Sequence, residues 1–520
     1  MIKKLLHVDT ISYLYLIGFV GMVCSLPFSN VAMSVSSLWI LGTWIIDIST
    51  RLSIKGLRSE EVRRTPISLF FWVAALFLIH VVFLWNTEDF SYAFRDIRIK
   101  LPLILFPVVV FTMSPVKFQL WKWIKWGYLG ALSLAVVLCL ACNAELVNAH
   151  QLDGRNFSIF ISHIRFGLML NLGIAIAVQM ILDKDMKWVF GVLFCSLFIG
   201  FMLMTQSMTA LVLLFTITLY ILLYSVKKRL SSTSRKALIA TAAIALLGSS
   251  LFIAHVVDVR YNSSTPSYQS TDLSCEENIY FFENGHRVYC NYDDISLEQA
   301  WNKRSELKYR EQNRAGGSIR STLLRYLSSK SDLKTGEQVN DLSDEEIKLI
   351  EMGQTSSVRY SFLHQRIDQL LFEYDAIRSG SNPSGKSFAQ RFEFWRVASN
   401  IISKNTLFGV GTGDVKQSFD QEYELSDSPL RKEYRLRAHN QFLTFWIAFG
   451  IVGLLLIPVS LWFCFKNRGH LNTVASTAFL IIVFLSFLTE DTLETQAGVS
   501  FFAVWVSLFF LLPKAALPSD

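Results

Sequence analysis

Apolar residues run through this chain in long blocks, each closed by a short polar turn, and the blocks match the thickness of a lipid bilayer rather than the radius of a soluble core. Windows of roughly 17 to 25 apolar residues predict membrane helices near 11–28, 31–49, 66–86, 99–113, 119–142, 160–182, 187–205, 208–226, 237–256, 440–465, 471–489 and 497–513. That makes an all-α polytopic membrane protein of about twelve spans. The first block, "ISYLYLIGFVGMVCSLPF", has no clear small-residue cleavage site and a second block follows at once, so it reads as a first membrane helix rather than a removable signal.

One stretch breaks the pattern. Residues 257–438 are rich in Ser, Asn, Asp and Glu and form a large polar insertion between the ninth and tenth spans. The expected domains are therefore an N-terminal membrane domain (1–256), the insertion (257–438) and a C-terminal membrane domain (439–520). Helical spacing dominates the insertion. "LSDEEIKLIEMG" offers Ser343 as an N-cap, acids in the first turn and Gly353 as a stop. "VRYSFLHQRIDQLLFEYDAI" carries an apolar stripe at helical period, and after the breaker "SGSNPSG" comes the amphipathic "FAQRFEFWRVASNIISKN", with Asn405 placed to end it. No strand pattern stands out.

Charge sets the orientation. With a cytoplasmic N-terminus, the inside loops "RLSIKGLRSEEVRR", "SPVKFQLWKW", "VKKRLSSTSRK" and "KNRGH" carry a Lys/Arg excess and "DKDMK" is balanced. The outside turns "PFSN" and "EDTLETQ" carry neither Lys nor Arg. Both termini are then expected on the cytoplasmic side and the insertion outside. "FRDIRIK" departs from the rule, with Arg95, Arg98 and Lys100 at the external mouth of the fourth span, where they call for an anionic partner or a headgroup.

Composition narrows the function classes. The 520 residues are 52% hydrophobic and 18% charged, with a formal charge of +7. The basic residues are scattered among loops, with no folded basic domain to hold a duplex, so no nucleic-acid partner is expected. Basic loops facing anionic membrane lipid account for the charge. Cys24, Cys139, Cys142, Cys195 and Cys464 fall in or beside spans as small apolar residues. Cys275 and Cys290 bracket "EENIYFFENGHRVY" in the external insertion, where an oxidising compartment favours a disulfide. A zinc site that added His286 lacks a fourth ligand.

Candidate chemistry gathers at one end of the spans. His439 immediately precedes the apolar run that opens at Asn440, where a helix N-terminus and partial burial favour a neutral ring able to take a proton. Arg435 and Arg437 approach with it, and a helix N-terminus is itself an anion site. Arg391 and Trp395 lie four residues apart on one helix face, a guanidinium fork for a diphosphate beside a flat ring for a sugar or lipid. "FGVGTGD" tempts a nucleotide reading, but no Lys-Ser/Thr follows and no strand precedes it, so a tight bend is the better account. "LTEDTLETQ" places Glu490, Asp491 and Glu494 in an external turn, able to orient His439 or an acceptor hydroxyl. "SHIRFG" adds His163 and Arg165 on the same side. Each of these also has an ordinary reading, as a cap, a core aromatic or a solvated loop charge.

The residues "RFEFWRVASNIISKNTLFGVGTGD", "RAHNQFLTFWIAFGIVGLL" and "EDTLETQAGVSFFAVW", in that order, resemble the O-antigen ligase and polymerase superfamily of bacterial envelopes. They are similar to its Arg-x-x-x-Trp helix, its glycine turn, its His-Asn helix start and its terminal acidic-Gln segment. "ENGHRVY", "WNKRSELKY" and "TLLRYLSSK" resemble an insertion of ligase-like members from Bacteroides-type bacteria. The resemblance implies a GT-C-like membrane glycosyltransferase of the bacterial inner membrane, with site and insertion facing the periplasm. It implies no metal and no cofactor. The donor would be a glycan on undecaprenyl diphosphate, the acceptor the sugar core of lipid A, and the products inverted at the donor carbon.

Carried over by position, His439 would deprotonate the acceptor hydroxyl and Arg391 would hold the diphosphate. The family's last acid would be Asp491 or Glu490. Trp395, Asn440 and Glu494 would contact acceptor or sugar, and Arg437 would add to the diphosphate site. Many members carry a Ser-Arg pair at a middle helix, whereas here Met208 follows Ser207. Arg165, Arg260, Arg98 and Lys100 are the replacements that the predicted orientation offers. A repeat-unit polymerase or a protein O-oligosaccharyltransferase shares the fold and the donor. A lipid or polysaccharide transporter is a more distant alternative, disfavoured because the ionisable residues cluster at one interface rather than at the midplane.

Overall fold

A computed structural model describes residues 2–53, 67–114, 119–143, 157–205, 207–229, 248, 250–262, 273–276, 281–358, 362–467 and 473–512. The chain forms two compact units. The first comprises Met1–Leu230, Phe394–Ser428 and Arg435–Asp520, the second Ser231–Glu393 and Pro429–Tyr434. The helix Ser387–Lys404 belongs to the second unit up to Glu393 and to the first from Phe394. Linear boundaries at 256 and 438 therefore do not coincide with the compact units.

The first unit is helical and apolar, as an all-α multi-pass membrane protein requires. Among the described residues, six helices are long and apolar enough to cross a bilayer: Asn30–Arg51, Ile67–Asn86, Trp121–Cys142, His163–Leu182, Trp188–Thr205 and Gln441–Lys466. Thr10–Ser25, Met208–Tyr224, Val474–Thr489 and Gln496–Leu511 are shorter apolar helices. The expected span at 99–113 is divided instead. An amphipathic helix, Phe90–Lys100, ends where Leu101-Pro102 begins a second one, Pro102–Thr112, because Pro102 lacks the N–H that would continue the first. Of the expected span 237–256, residues 237–247 and 249 lie outside the described residues, and 250–256 are helical.

Burial separates the helices by role. His163–Leu182 buries most of its side chains and packs on Trp188–Thr205, Met208–Arg229 and Val474–Thr489. Trp188–Thr205 instead exposes Trp188, Val189, Val192 and Leu193, which suits an acyl-chain environment. Buried Asp47 inside the bundle is well partnered: it accepts from the Tyr15 hydroxyl at 3.0 Å and from Ser114 N and Oγ at 2.8 and 2.6 Å.

The long helix Gln441–Lys466 is broken at Gly450, whose φ of 62° is non-helical. Such a break strands backbone groups that hydrocarbon cannot satisfy. The glycine-rich segment does so: Val410 N donates to Ile447 O at 2.8 Å, Gly411 N to Ala448 O at 3.0 Å, and Ile451 N to Thr406 O at 3.0 Å. The approach is so close that a Cβ on Gly450 would stand 2.0 Å from Leu407 O, and one on Gly411 2.1 Å from Asn86 O. "FGVGTGD" is a strap across a broken helix, and only glycine leaves room for it.

The second unit has its own core, with Trp301, Tyr309, Leu323, Tyr326, Leu327 and Ile350 at its centre. Asp344–Glu351 has the expected Ser343 cap, as a full capping box with Glu346, and Gly353 follows at a φ of 98°. The sequence offered no clear strand pattern here, and among the described residues the unit holds four short strands. Phe282–Glu283 pairs with His286–Arg287 around a left-handed Asn284-Gly285 turn, and Ser274–Cys275 pairs with Cys290–Tyr292. Strands of two or three residues carry no alternation to detect. The Cys275–Cys290 disulfide ties the outer pair.

Candidate functional site

The approach to Gln441–Lys466 is held at nearly every residue. Tyr423 donates its hydroxyl to Leu436 O at 2.6 Å, and the Trp395 indole donates to Ala438 O at 3.0 Å. His439 then adopts a φ of 48°, a left-handed conformation uncommon outside glycine. Asp491 fixes it there. One carboxylate oxygen accepts from His439 N and the other from Asn440 N, both at 3.1 Å, while Thr444 adds its hydroxyl at 2.7 Å. Burial pushes the Asp491 carboxyl above its ordinary range, against the pull of the Thr444 bond. Asn440 caps the helix, accepting from Phe442 N and Leu443 N.

This backbone lock aims the imidazole. Phe394 stacks on the ring at 5.6 Å between centroids, and Glu490 Oε2 lies 3.2 Å from His439 Nδ1. A carboxylate accepts only, so in the neutral ring the tautomer with Nδ1–H suits this contact and leaves Nε2 to present its lone pair. Nε2 has no hydrogen-bond partner among the described residues, and the side chain is about one-third exposed at 31%. A partly exposed imidazole with a carboxylate behind it is equipped to take a proton from an approaching hydroxyl.

Beside it lies a buried ionic group. Glu494 Oε2 accepts from Arg437 Nη1 at 2.8 Å and from Lys100 Nζ at 2.9 Å, and its Oε1 from Gln441 Nε2 at 3.1 Å. Lys100 also bonds both oxygens of Asp96 at 2.6 Å. Burial alone would raise the Glu494 carboxyl, but Lys100 and Arg437 hold it well below the usual carboxylate range. Burial pushes Asp96 up to about 6. Asp96, Lys100, Arg437 and Glu494, with His80, Tyr92, Thr412 and Thr444, line a cavity of about 10 Å³, room for a single water.

The expected site residues distribute as follows. His439, Asn440, Glu490, Asp491, Glu494, Arg437 and Trp395 come together in the first unit. Asp491 and Glu490 have distinct tasks, the one on the backbone and the other on the ring. Asn440, Trp395 and Glu494, expected at the acceptor, are engaged as cap, indole anchor and ionic hub. Arg165 stands within electrostatic reach of Glu490 and Asp491. Arg98 is exposed on Phe90–Lys100. Arg391 lies on the second unit's part of Ser387–Lys404, and Arg260, also in the second unit, is buried with its guanidinium bonded to Asp375 at 2.8 Å and to Asp368. Phe394, Gln441, Thr444 and Asp96 went unnoticed in the sequence. Only Thr444, four residues after Asn440, left a trace there.

Residues 352–457 match the family model described as O-antigen ligase. The matched stretch holds the helix Ser387–Lys404, the glycine strap, His439 and the break at Gly450. No curated protein matches the chain.

Proposed function

We propose that the chain, whose residues 352–457 match the O-antigen ligase family model, belongs to the O-antigen ligase/polymerase superfamily and works as an O-antigen ligase, moving a glycan from undecaprenyl diphosphate to the lipid A-core at the periplasmic face of the bacterial inner membrane. The hydrogen bond between His439 Nδ1 and Glu490 supports this reading most directly, because it leaves Nε2 as the accepting nitrogen.

The acceptor hydroxyl oxygen attacks the donor anomeric carbon while its proton passes to His439 Nε2. The bond from that carbon to the diphosphate oxygen breaks, and the electron pair leaves with the diphosphate. Glu490 stabilises the imidazolium as it forms. Charge on the leaving diphosphate grows in the transition state, so fixed guanidiniums there lower the barrier more than they tighten ground-state binding. Arg437, held by Glu494, and Arg165 suit that task, and the sequence resemblance assigns Arg391 to it. A single displacement inverts the donor carbon, and the step requires no metal.

An envelope glycolipid gel on a null strain tests the reading, with wild type or His439→Ala supplied in trans and protein-linked glycan probed in parallel. Bare lipid A-core in the mutant, with polymer accumulating on the lipid carrier, is the expected result. Unchanged long-chain glycolipid would refute the ligase assignment, and selective loss of protein glycan would transfer it to an oligosaccharyltransferase.

A further inference from the structure

Phe90–Lys100 is an amphipathic helix of unusual composition for one so close to the site. Asp89 caps it, accepting from Tyr92 N at 2.9 Å. At about 100° per residue its positions fall into three sectors. Ala93, Asp96 and Lys100 point inward and are buried. Phe90, Phe94 and the C-cap Leu101 form an outward apolar edge, exposed at 49%, 61% and 46%. Arg95 and Arg98 lie next to that edge, both exposed. Neither pairs with a carboxylate among the described residues, and Arg95 packs over the Tyr92 ring at 4.8 Å.

A second exposed aromatic pair involves the turn before the helix. Trp85, in the turn just before it, meets Phe408 edge-on at 6.0 Å, and both are more than half exposed. Aromatic and aliphatic side chains left in contact with the surroundings, with guanidiniums alongside, are the makings of a helix that lies in a membrane interface. In such a helix, rings sit at acyl depth while long basic side chains reach the phosphates.

We propose that the outer face of Phe90–Lys100 is a binding site for anionic phospholipid headgroups of the bilayer, with Arg95 and Arg98 clasping phosphate and Phe90, Phe94 and Leu101 resting on the acyl chains. This rests on the membrane reading of the chain and goes beyond the transfer reaction. Two adjacent guanidiniums without carboxylate partners complement a phosphate anion. The site has a route to the catalytic group, because Lys100 on the same helix bonds Glu494, which holds Arg437 two residues before His439. Seating the helix on anionic lipid steadies that connection.

The experiment uses the full chain in nanodiscs containing phosphatidylcholine and phosphatidylglycerol, with retained lipids counted by native mass spectrometry. Lipid retention is read without any transfer assay, so its outcome is independent of the ligase assignment. Wild type should retain phosphatidylglycerol selectively. Arg95→Gln and Arg98→Gln should each lower the enrichment about fivefold, the fold-change given by ~1 kcal/mol per basic residue at an anionic surface. The Arg95→Lys, Arg98→Lys double variant should restore most of it, and Phe94→Ser should weaken retention of both lipids. Unchanged phosphatidylglycerol enrichment in the double Gln variant overturns the proposal. So does displacement of the bound lipid by added undecaprenyl diphosphate, which would assign the two arginines to the donor.

Discussion

Glu490 Oε2 lies 3.2 Å from Nδ1 of His439, while the neighbouring carboxylate of Asp491 bonds the backbone N–H of His439 and not its ring. Adjacent acids thus divide the work of one turn: Glu490 sets the tautomer and Asp491 sets the backbone. Glu490→Gln should keep the fold and lower kcat with little change in KM. The loss should be smaller than the roughly 10²–10⁴-fold expected for removing the base in His439→Ala. Asp491→Asn should also lower the melting temperature, since it weakens a buried carboxylate that three donors share. Steady-state kinetics paired with thermal melts separates the two roles.

Gly450→Ala should destabilise the membrane unit by roughly 2 kcal/mol or more. The added Cβ meets Leu407 O at 2.0 Å in a conformation that L residues rarely adopt. Displacing the strap would unpair the carbonyls of Ile447 and Ala448, and a thermal melt in detergent reads the cost. Alanine at Gly42, where nothing lies within 4 Å, should leave the melt unchanged.

Glu494 gives a pH signature. Its folded carboxyl is depressed by Lys100 and Arg437, so its contribution is fully present above the ordinary unfolded value of about 4.3 and is lost as pH falls towards the lower folded value. Glu494→Gln removes that contribution and leaves buried Lys100 and partly exposed Arg437 without their shared anion, a loss of roughly 3–5 kcal/mol near neutrality. Melting temperatures of wild type and variant should differ most at pH 6 to 7 and draw together towards about pH 3. A constant gap across that range would contradict the assignment.

Reducing the Cys275–Cys290 bond, with a sequence separation of 15, should lower the stability of the second unit by about 3 kcal/mol. Hydrogen exchange in residues 281–358 checks this, with faster exchange expected in the reduced protein or in Cys275→Ser.

Much of this molecule was legible in the sequence because a bilayer imposes one strong rule, long apolar helices, and the runs obey it. His439 stood out because it precedes such a run, and Glu490 and Asp491 because they lie in a turn between two others. The split between Phe90–Lys100 and Pro102–Thr112 was hidden. The apolar residues of Phe90–Lys100 continue into the next run, and only burial reveals that Asp96 and Lys100 face inward. The glycine strap was legible as a bend but not as the partner of a broken helix, since its acceptors lie about forty residues further on. Phe394 and Gln441 escaped notice for a similar reason: their roles depend on which helices become neighbours, and spacing along one helix says nothing of that.

The most direct test of the account is a transfer assay with the purified full chain, a synthetic polyprenyl-diphosphate glycan and a lipid A-core acceptor, comparing wild type with His439→Gln at matched folding. Wild type is expected to give a product of inverted anomeric configuration, and the variant a single-turnover rate lower by roughly 10²–10⁴-fold. A retained anomeric configuration, or a variant that transfers at the wild-type rate, would contradict His439 as the base.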